Sequence, residues 1–317
     1  MKMRGALVGI LPALVSSQRP CMLSMWEPVF SRIIASLFAD KTLLHQGSVV
    51  DCGANAGGES CHYADLDPTR TVHAIEPLLG HHAAIERYQV NRSNIMILHG
   101  GLGSKRRIVQ TQHAQRGSMV TNLQSVRSFS PDSSNSSNSS SWTFIVYRLD
   151  DLFSQRWRDE RLAFAHFDVE GAEADVLLGG METLRRDRPI FTVEMEYHHR
   201  TTPAALFAVF NALGYQAYLV HEVSGVYHDA RNLLVVPVER RAERIAALGG
   251  GELMAAVYNA THFAHLASTA PTSVRGILCT GEADVLRALR SMVHGHKPGT
   301  VLLRGYCRAP APPSAKN

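Results

Sequence analysis

Four acidic residues in this chain close apolar runs. Asp51 follows Ser48-Val49-Val50, Glu76 follows Val72-His73-Ala74-Ile75, Asp168 follows Leu162–Phe167, and Glu194 follows Ile190–Val193. Short apolar runs bounded by turn residues read as buried strands. In an open α/β sheet, ligands bind beyond the carboxyl ends of the strands. The four carboxylates therefore fall where a ligand would sit. Asp51 opens the turn Asp51-Cys52-Gly53-Ala54-Asn55-Ala56-Gly57-Gly58. Its glycines let backbone approach a ligand closely, and the helix beyond presents free N–H groups to a carboxylate or phosphate. The spacing matches neither G-x-G-x-x-G nor a P-loop, which needs a Lys-Ser/Thr pair.

Glu76 lies 25 residues after Asp51, by subtraction of the two numbers. An acid at the end of a second strand can accept hydrogen bonds from ribose hydroxyls, so loop and acid together fit a nucleoside ligand. Adenosylmethionine and a dinucleotide both remain open on this spacing. The third segment, Phe167-Asp168-Val169-Glu170-Gly171-Ala172-Glu173, sets three carboxylates at a strand tip, and Glu194-Met195-Glu196 follows at the next. Glu170 and Glu173 share a helix face if a helix starts at Gly171, and acids in a first turn also complement the helix dipole. Asp168 and Glu170, with Glu194 behind them, are candidates for a general base; His198 and His199 are weaker ones. The same Asp168 and Glu170 suit a hard cation such as Mg2+, and both roles stay open.

The elements that must hold these residues follow from periodicity. Apolar residues at helical spacing mark helices over 26–45, from Glu59, over 80–91, 172–186, 203–213, 239–248 and 283–292. Strands are expected at 47–51, 71–76, 95–98, 143–148, 162–169, 189–194, 215–220 and 233–236, with 301–303 as a further candidate. Strands alternating with helices mean an α/β domain with a mostly parallel sheet, helices on both faces. The last two strands, joined by a turn-like link, suggest an antiparallel finish. Residues 132–141 (DSSNSSNSSS) are low in complexity and read as a loop, and the tail from Ala309 is rich in Pro and Ala. The expected organisation is an N-terminal extension over 1–25, a main domain over 26–237, and a C-terminal extension over 238–317.

The chain has 317 residues, 45% hydrophobic and 19% charged, enough apolar material for a full core. A net charge of +4 with dispersed Arg argues against a nucleic-acid partner, which calls for clustered basic residues. No apolar run reaches the length of about 20 residues that a membrane-spanning helix needs. Lys2 and Arg4 precede an apolar run, Gly5–Val15, then Ser16-Ser17, which resembles a short signal segment. The expected compartment is the cytoplasm or, on that signal, the secretory pathway. Sequons stand at Asn91, Asn135, Asn138 and Asn259. The five Cys include no C-x-x-C pair, so neither a disulfide framework nor a Cys zinc site is expected. Cys52 reads as a small buried hydrophobe. The 16 His read as scattered surface residues.

The order Val49-Val50-Asp51-Cys52-Gly53-Ala54-Asn55-Ala56-Gly57, Ala74-Ile75-Glu76-Pro77, Leu149-Asp150-Asp151-Leu152, Phe167–Glu173 and Val193-Glu194 resembles the FkbM family of methyltransferases over about residues 46–237. The Asp168-Val169-Glu170-Gly171-Ala172-Glu173 block is its most specific part. The resemblance implies a Rossmann-like class I methyltransferase fold, with a mostly parallel seven-stranded sheet and an antiparallel final strand. It implies S-adenosylmethionine as cofactor and a hydroxyl on a sugar or small natural product, a small-molecule or glycan acceptor, as the methyl acceptor. On that basis Gly53, Asn55 and Gly57 shape the pocket for the methionine part, Asp51 binds its ammonium group and Glu76 holds the ribose. Two departures stand out: His166, which reads as a neutral core or rim histidine, replaces the family's usual Lys, and the 132–141 loop is inserted. A nucleotide-dependent oxidoreductase and a non-catalytic binding protein that keeps the fold are the competing readings, and oligomeric state is left open.

Overall fold

The computed structural model describes residues 21, 27–111, 142–195, 203–222, 232–250 and 253–266. In chain order the elements are α1 (Pro28–Ala39), β1 (Ser48–Cys52), α2 (Gly58–Leu66), β2 (Val72–Glu76), α3 (Leu79–Gln89), β3 (Ile95–His99), β4 (Gly101–Leu102), β5 (Arg107–Thr111) and β6 (Trp142–Tyr147). They continue with α4 (Leu149–Asp151), a π turn (Leu152–Arg156), β7 (Leu162–Phe167), α5 (Glu173–Leu178), α6 (Met181–Asp187) and β8 (Ile190–Glu194). The last are α7 (Pro203–Leu213), β9 (Tyr215–Val220), β10 (Asn232–Pro237), a 3-10 turn (Val238–Arg240), α8 (Arg241–Ala247) and β11 (Met254–Val257).

Eight strands form the main sheet in the order β11-β9-β10-β8-β7-β1-β2-β3. Strands β3, β2, β1, β7 and β8 are parallel, whereas β10 runs antiparallel to both β8 and β9. The antiparallel finish is therefore as expected, but the sheet has eight strands rather than seven. The extra strand is β11, which adds antiparallel to β9 at the edge. Its four residues, two buried ends around two partly exposed ones, are too few to signal a strand in the sequence. It lies in the segment assigned to the C-terminal extension. Strands β4, β6 and β5 make a separate three-stranded sheet.

Helices cover both faces. Strands β1, β2 and β7 are buried along their whole length, as strands with two covered faces must be. On one face Val49, Val72, Phe164 and Leu234 pack with α1, α2, α3 and Leu248 just after α8. Phe164 meets Phe38 of α1 and Tyr63 of α2 edge-on, both at 5.4 Å between ring centres. On the other face Phe167, Phe191 and Val235 pack with α5, α6, α7 and the π turn. Burying each such large side chain contributes about 1.5–3 kcal/mol. Helix α1 begins with Pro28, suited to a first turn. The first-turn N–H groups of Val29 and Phe30 donate to the two carboxylate oxygens of Glu222 at 2.7 and 2.8 Å. Asn232 of β10 donates to Glu27 just before that helix at 2.8 Å.

Several expectations change. The helix read over 172–186 is two helices, α5 and α6, separated by Gly179-Gly180. A Cβ at Gly179 would lie 2.0 Å from the Gly103 carbonyl oxygen, so the backbones touch there and the helix breaks although the apolar spacing runs on. Glu170 is not on that helix; its φ of 53° places it in the turn before it. Cys21 and Cys61 form a disulfide 40 residues apart in sequence, against the expectation from the Cys count. An odd total leaves room for one pair, and pairing across that separation depends on the fold. Cys52 is buried and free. His73 is buried, not on the surface, whereas His166 is a core histidine as expected. Asn91 and Asn259 are exposed. No helix among the described residues is long and apolar enough to cross a membrane. The N-terminal signal-like segment, Asn135, Asn138, the 132–141 loop, His198, His199, Glu196 and the elements expected after 280 lie outside the described residues.

Candidate active site

Strand β1 delivers Asp51 and then turns sharply. Three positions in the turn have left-handed backbone: Gly53 (φ 87°), Asn55 (φ 47°) and Gly57 (φ 82°). At Gly53 the reason is contact as well as conformation. A Cβ there would lie 1.7 Å from the Asp168 carbonyl oxygen, while the Asp168 N–H donates to the Cys52 carbonyl at 3.0 Å. The first and third acidic segments are thus laced together by backbone. A Cβ at Gly57 would press Ile85 at 2.9 Å. Gly57 caps α2, so the N–H groups of that helix open toward the turn.

Asp51 is enclosed. Ser60 of α2 donates its hydroxyl to Oδ2, and Oδ1 has no partner among the described residues. Burial pushes the carboxyl up to about 7, against the lowering effect of the Ser60 hydrogen bond, with the Glu76 charge adding to the rise. Glu76 ties two turns together. Its Oε2 accepts from the Asn55 N–H and its Oε1 from the Leu78 N–H, both at 2.8 Å. His81 Nδ1 stands 3.3 Å from Oε1. Each carboxylate oxygen keeps a second lone-pair direction for a further donor.

The sheet register brings the other acids beside this turn. Asp51 is level with His166, and His166 with Thr192; Glu194 is level with Asn232. Asp168 therefore leaves β7 next to Glu194 of β8. Burial drives the Asp168 carboxyl well above its usual range, and the charge of Glu194, a hydrogen bond to Glu194, and the charges of Glu170 and Glu173 add to it. Glu173 braces the loop: its Oε1 accepts from the Gly171 N–H at 2.9 Å and the Val169 N–H at 3.2 Å, closing the turn that presents Glu170. Burial holds its carboxyl at about 7.

Three residues of the cluster have no site role readable from the sequence, where His166 reads only as a neutral core or rim histidine. Glu59 and Tyr63 are four apart on α2 and share its inward face. Burial raises Glu59 to about 8, with Asp51, Glu27 and Glu194 as its acidic neighbours. Tyr63 is 1% exposed, and its hydroxyl has no partner among the described residues. Burial and the charges of Asp51, Glu59, Glu27 and Asp168 raise it further above the usual phenol range. The i, i+4 spacing of the two is the signal that could have found them. His166 is the third. Its Nδ1 lies 2.8 Å from the Thr192 hydroxyl, which leans toward the Ala165 carbonyl at 3.5 Å. A hydroxyl that donates to a carbonyl accepts from Nδ1–H, so Nε2 carries the lone pair. Burial depresses the ring to about 4, so it is neutral.

Among the described residues the donor atoms of Asp168, Glu170 and Glu194 do not converge into a three-ligand group. The one such group among them is Cys21, Cys61 and Asp65, and its two sulfurs are spent in the disulfide. The arrangement thus lends no support to Mg2+. It does fit S-adenosylmethionine: a left-handed turn without side chains in the way, a helix start aimed at it, an acid at the next strand end, and an enclosed carboxylate oxygen at Asp51 short of a donor.

A parallel sheet of order 3-2-1 continued by the later strands, with an antiparallel strand inserted beside the last, defines the Rossmann-like methyltransferase fold. The chain belongs to the FkbM methyltransferase family: the methyltransferase FkbM domain matches residues 51–217. Among solved structures it is similar to a methyltransferase FkbM from Methylobacillus flagellatus KT, at 18% identity and a TM-score of 0.39, covering 64% of this chain. The chain spans about half (47%) of that protein's length. It is also similar to Aeropyrum pernix fibrillarin, solved with S-adenosyl-L-methionine bound, at 12% identity and a TM-score of 0.39, covering 67% of this chain and 76% of that one. A precorrin-6y C5,15-methyltransferase from Geobacter metallireducens GS-15 shares 12% identity at a TM-score of 0.33, covering 65% of this chain and 84% of that one. No curated protein matches the chain in sequence.

Proposed function

We propose that the chain transfers a methyl group from S-adenosylmethionine to a hydroxyl oxygen of a sugar or small natural product. The observation that carries this is the backbone lacing of Gly53 to Asp168, which sets the cofactor turn against the acidic pair Asp168–Glu194. Family membership supports the cofactor. When bound, the sulfonium supplies an already activated methyl group.

The chain's own residues then do three things. Gly53, Asn55 and Gly57 leave room for the methionine part, the Asp51 carboxylate draws its ammonium group, and Glu76 receives the ribose hydroxyls on its spare lone pairs. Next, the acceptor oxygen must be held in line with the methyl, and such positioning is worth up to about 7–11 kcal/mol in ideal cases. Last comes proton removal. A hydroxyl acceptor is a weak nucleophile until its proton leaves, and a placed base contributes about 10²–10⁴-fold. The Asp168–Glu194 pair accepts that proton, with Glu170 beside it.

Calorimetry with S-adenosylmethionine and S-adenosylhomocysteine on the purified chain tests the reading. Binding that is lost in Glu76→Ala is the expected result. A folded protein that binds neither compound would overturn it.

A further inference from the structure

The cross-link between Cys21 and Cys61 sits against the helix that follows the cofactor turn. Their α-carbons are 5.5 Å apart. Cys61 is fully buried, its N–H donates to the Gly57 carbonyl at 2.9 Å, and its neighbour Ser60 holds Asp51. Fixing Cys61 therefore fixes the first turn of α2, the turn that faces the candidate cofactor site. On the other side Cys21 leads toward α1, whose start is held separately by Glu222.

The surroundings favour the bonded state. The Cys21 sulfur lies 3.2 Å from Asp65 Oδ2, and that carboxylate is engaged by Arg92 at 2.6 and 2.8 Å. A thiolate beside a carboxylate is disfavoured. A neutral disulfide avoids that repulsion, and the half-buried Cys21 leaves the bond within reach of a thiol. Cys52, the remaining described cysteine, is enclosed in the other core and its thiol is pushed far up by burial, so it does not compete for pairing.

We infer that Cys21–Cys61 is a standing covalent cross-link that pins the cofactor helix, and that the chain reaches its working form where protein thiols are oxidised, not in a reducing cytosol. Such bonds persist in oxidising compartments and are rare in reducing ones. Formation is an exchange: the two thiols here and one disulfide of a thiol oxidoreductase become one disulfide here and two thiols on that partner. Two electrons and two protons pass to it. It follows that the methyl acceptor is met in the same compartment, and that the cofactor must be delivered there.

The test uses the full chain isolated from its native source. The protein is alkylated without reduction, digested and analysed by mass spectrometry. The expected result is a linked peptide pair carrying Cys21 and Cys61. Thermal unfolding is then followed with and without reductant. Reductant should lower the Tm by about 5–15 °C. Cys21→Ser and Cys61→Ser should each show that lower Tm and no further response to reductant. Free, alkylated Cys21 and Cys61 in the native protein would overturn the inference, as would a Tm that ignores both reductant and Cys21→Ser. None of these readouts depends on methyl transfer or cofactor binding, so the cross-link and the methyltransferase reading fail separately.

Discussion

Ser60 donates its hydroxyl to one oxygen of Asp51, and the other oxygen of that carboxylate is enclosed with no donor. Half of a buried carboxylate is thus left unsatisfied beside a turn built for close backbone approach. A buried acceptor without a partner costs about 1–3 kcal/mol. That cost is recovered when a cationic ligand arrives, which ties the stability of the site to its occupancy.

The pH dependence of the unliganded protein follows from this. Asp51 is raised from the usual 3.8 to about 7, and Glu59 from 4.5 to about 8. A carboxyl raised in the folded state binds its proton more tightly there than in the unfolded chain. Stability is then fully present below the unfolded value and falls as pH rises through the folded one. Stability, and Tm with it, should therefore drop between about pH 4 and pH 8, the free-energy change being on the order of 4 kcal/mol for a group moved as far as Asp51. Asp51→Asn should flatten the slope. Unfolding scans across that range check it, and a Tm that climbs from about pH 5 to pH 8 would contradict the assignment.

Gly53→Ala should be severe. The new Cβ would stand 1.7 Å from a backbone oxygen, at a φ that side chains rarely adopt. Backbone cannot yield as a side-chain tip can, so about 3 kcal/mol or more of stability should be lost, together with cofactor binding. Gly80→Ala, where nothing lies within 4 Å of the added carbon, is the control and should leave Tm unchanged or slightly higher.

Tyr63→Phe removes a buried hydroxyl that has no partner. The empty protein should be as stable as wild type, or more so by about 1 kcal/mol. If the hydroxyl serves a ligand, affinity for S-adenosylmethionine falls while Tm without ligand does not. Melting curves with and without cofactor separate the two effects.

Asp168→Asn and Glu194→Gln each replace one member of the hydrogen-bonded carboxyl pair with a neutral amide. Both variants should fold, with Tm at about pH 8 equal to or above wild type, because two like charges no longer face each other. Methyl transfer to a hydroxyl acceptor should fall by about 10²–10⁴-fold. Labelled methyl incorporation measures this. Unchanged transfer in both variants would place the base elsewhere, with the neutral His166 next in line.

Much of the site is visible in the residues themselves. The strand-end acids and the glycine turn follow from local rules: a buried run, a turn signal, an acid at fixed distance. What the sequence conceals depends on neighbours far along the chain. Gly179-Gly180 looks like the middle of a helix until Gly103 is seen against it. Cys21 and Cys61 do not announce a pair across 40 residues. Tyr63 reads as an ordinary aromatic of a helix, and only the fold gathers Asp51, Glu59 and Asp168 around its hydroxyl.

The start of α1 is held by Glu222, 193 residues later, and Glu27 by Asn232, 205 residues later. The first turn of that helix therefore lacks its capping partners until β9 and β10 exist, although its apolar face already meets Tyr63 and Phe164. Contacts of such long range form late, because the intervening chain must be ordered first. The completed domain is locked by joining its two ends, so shortening it at either end would loosen the other.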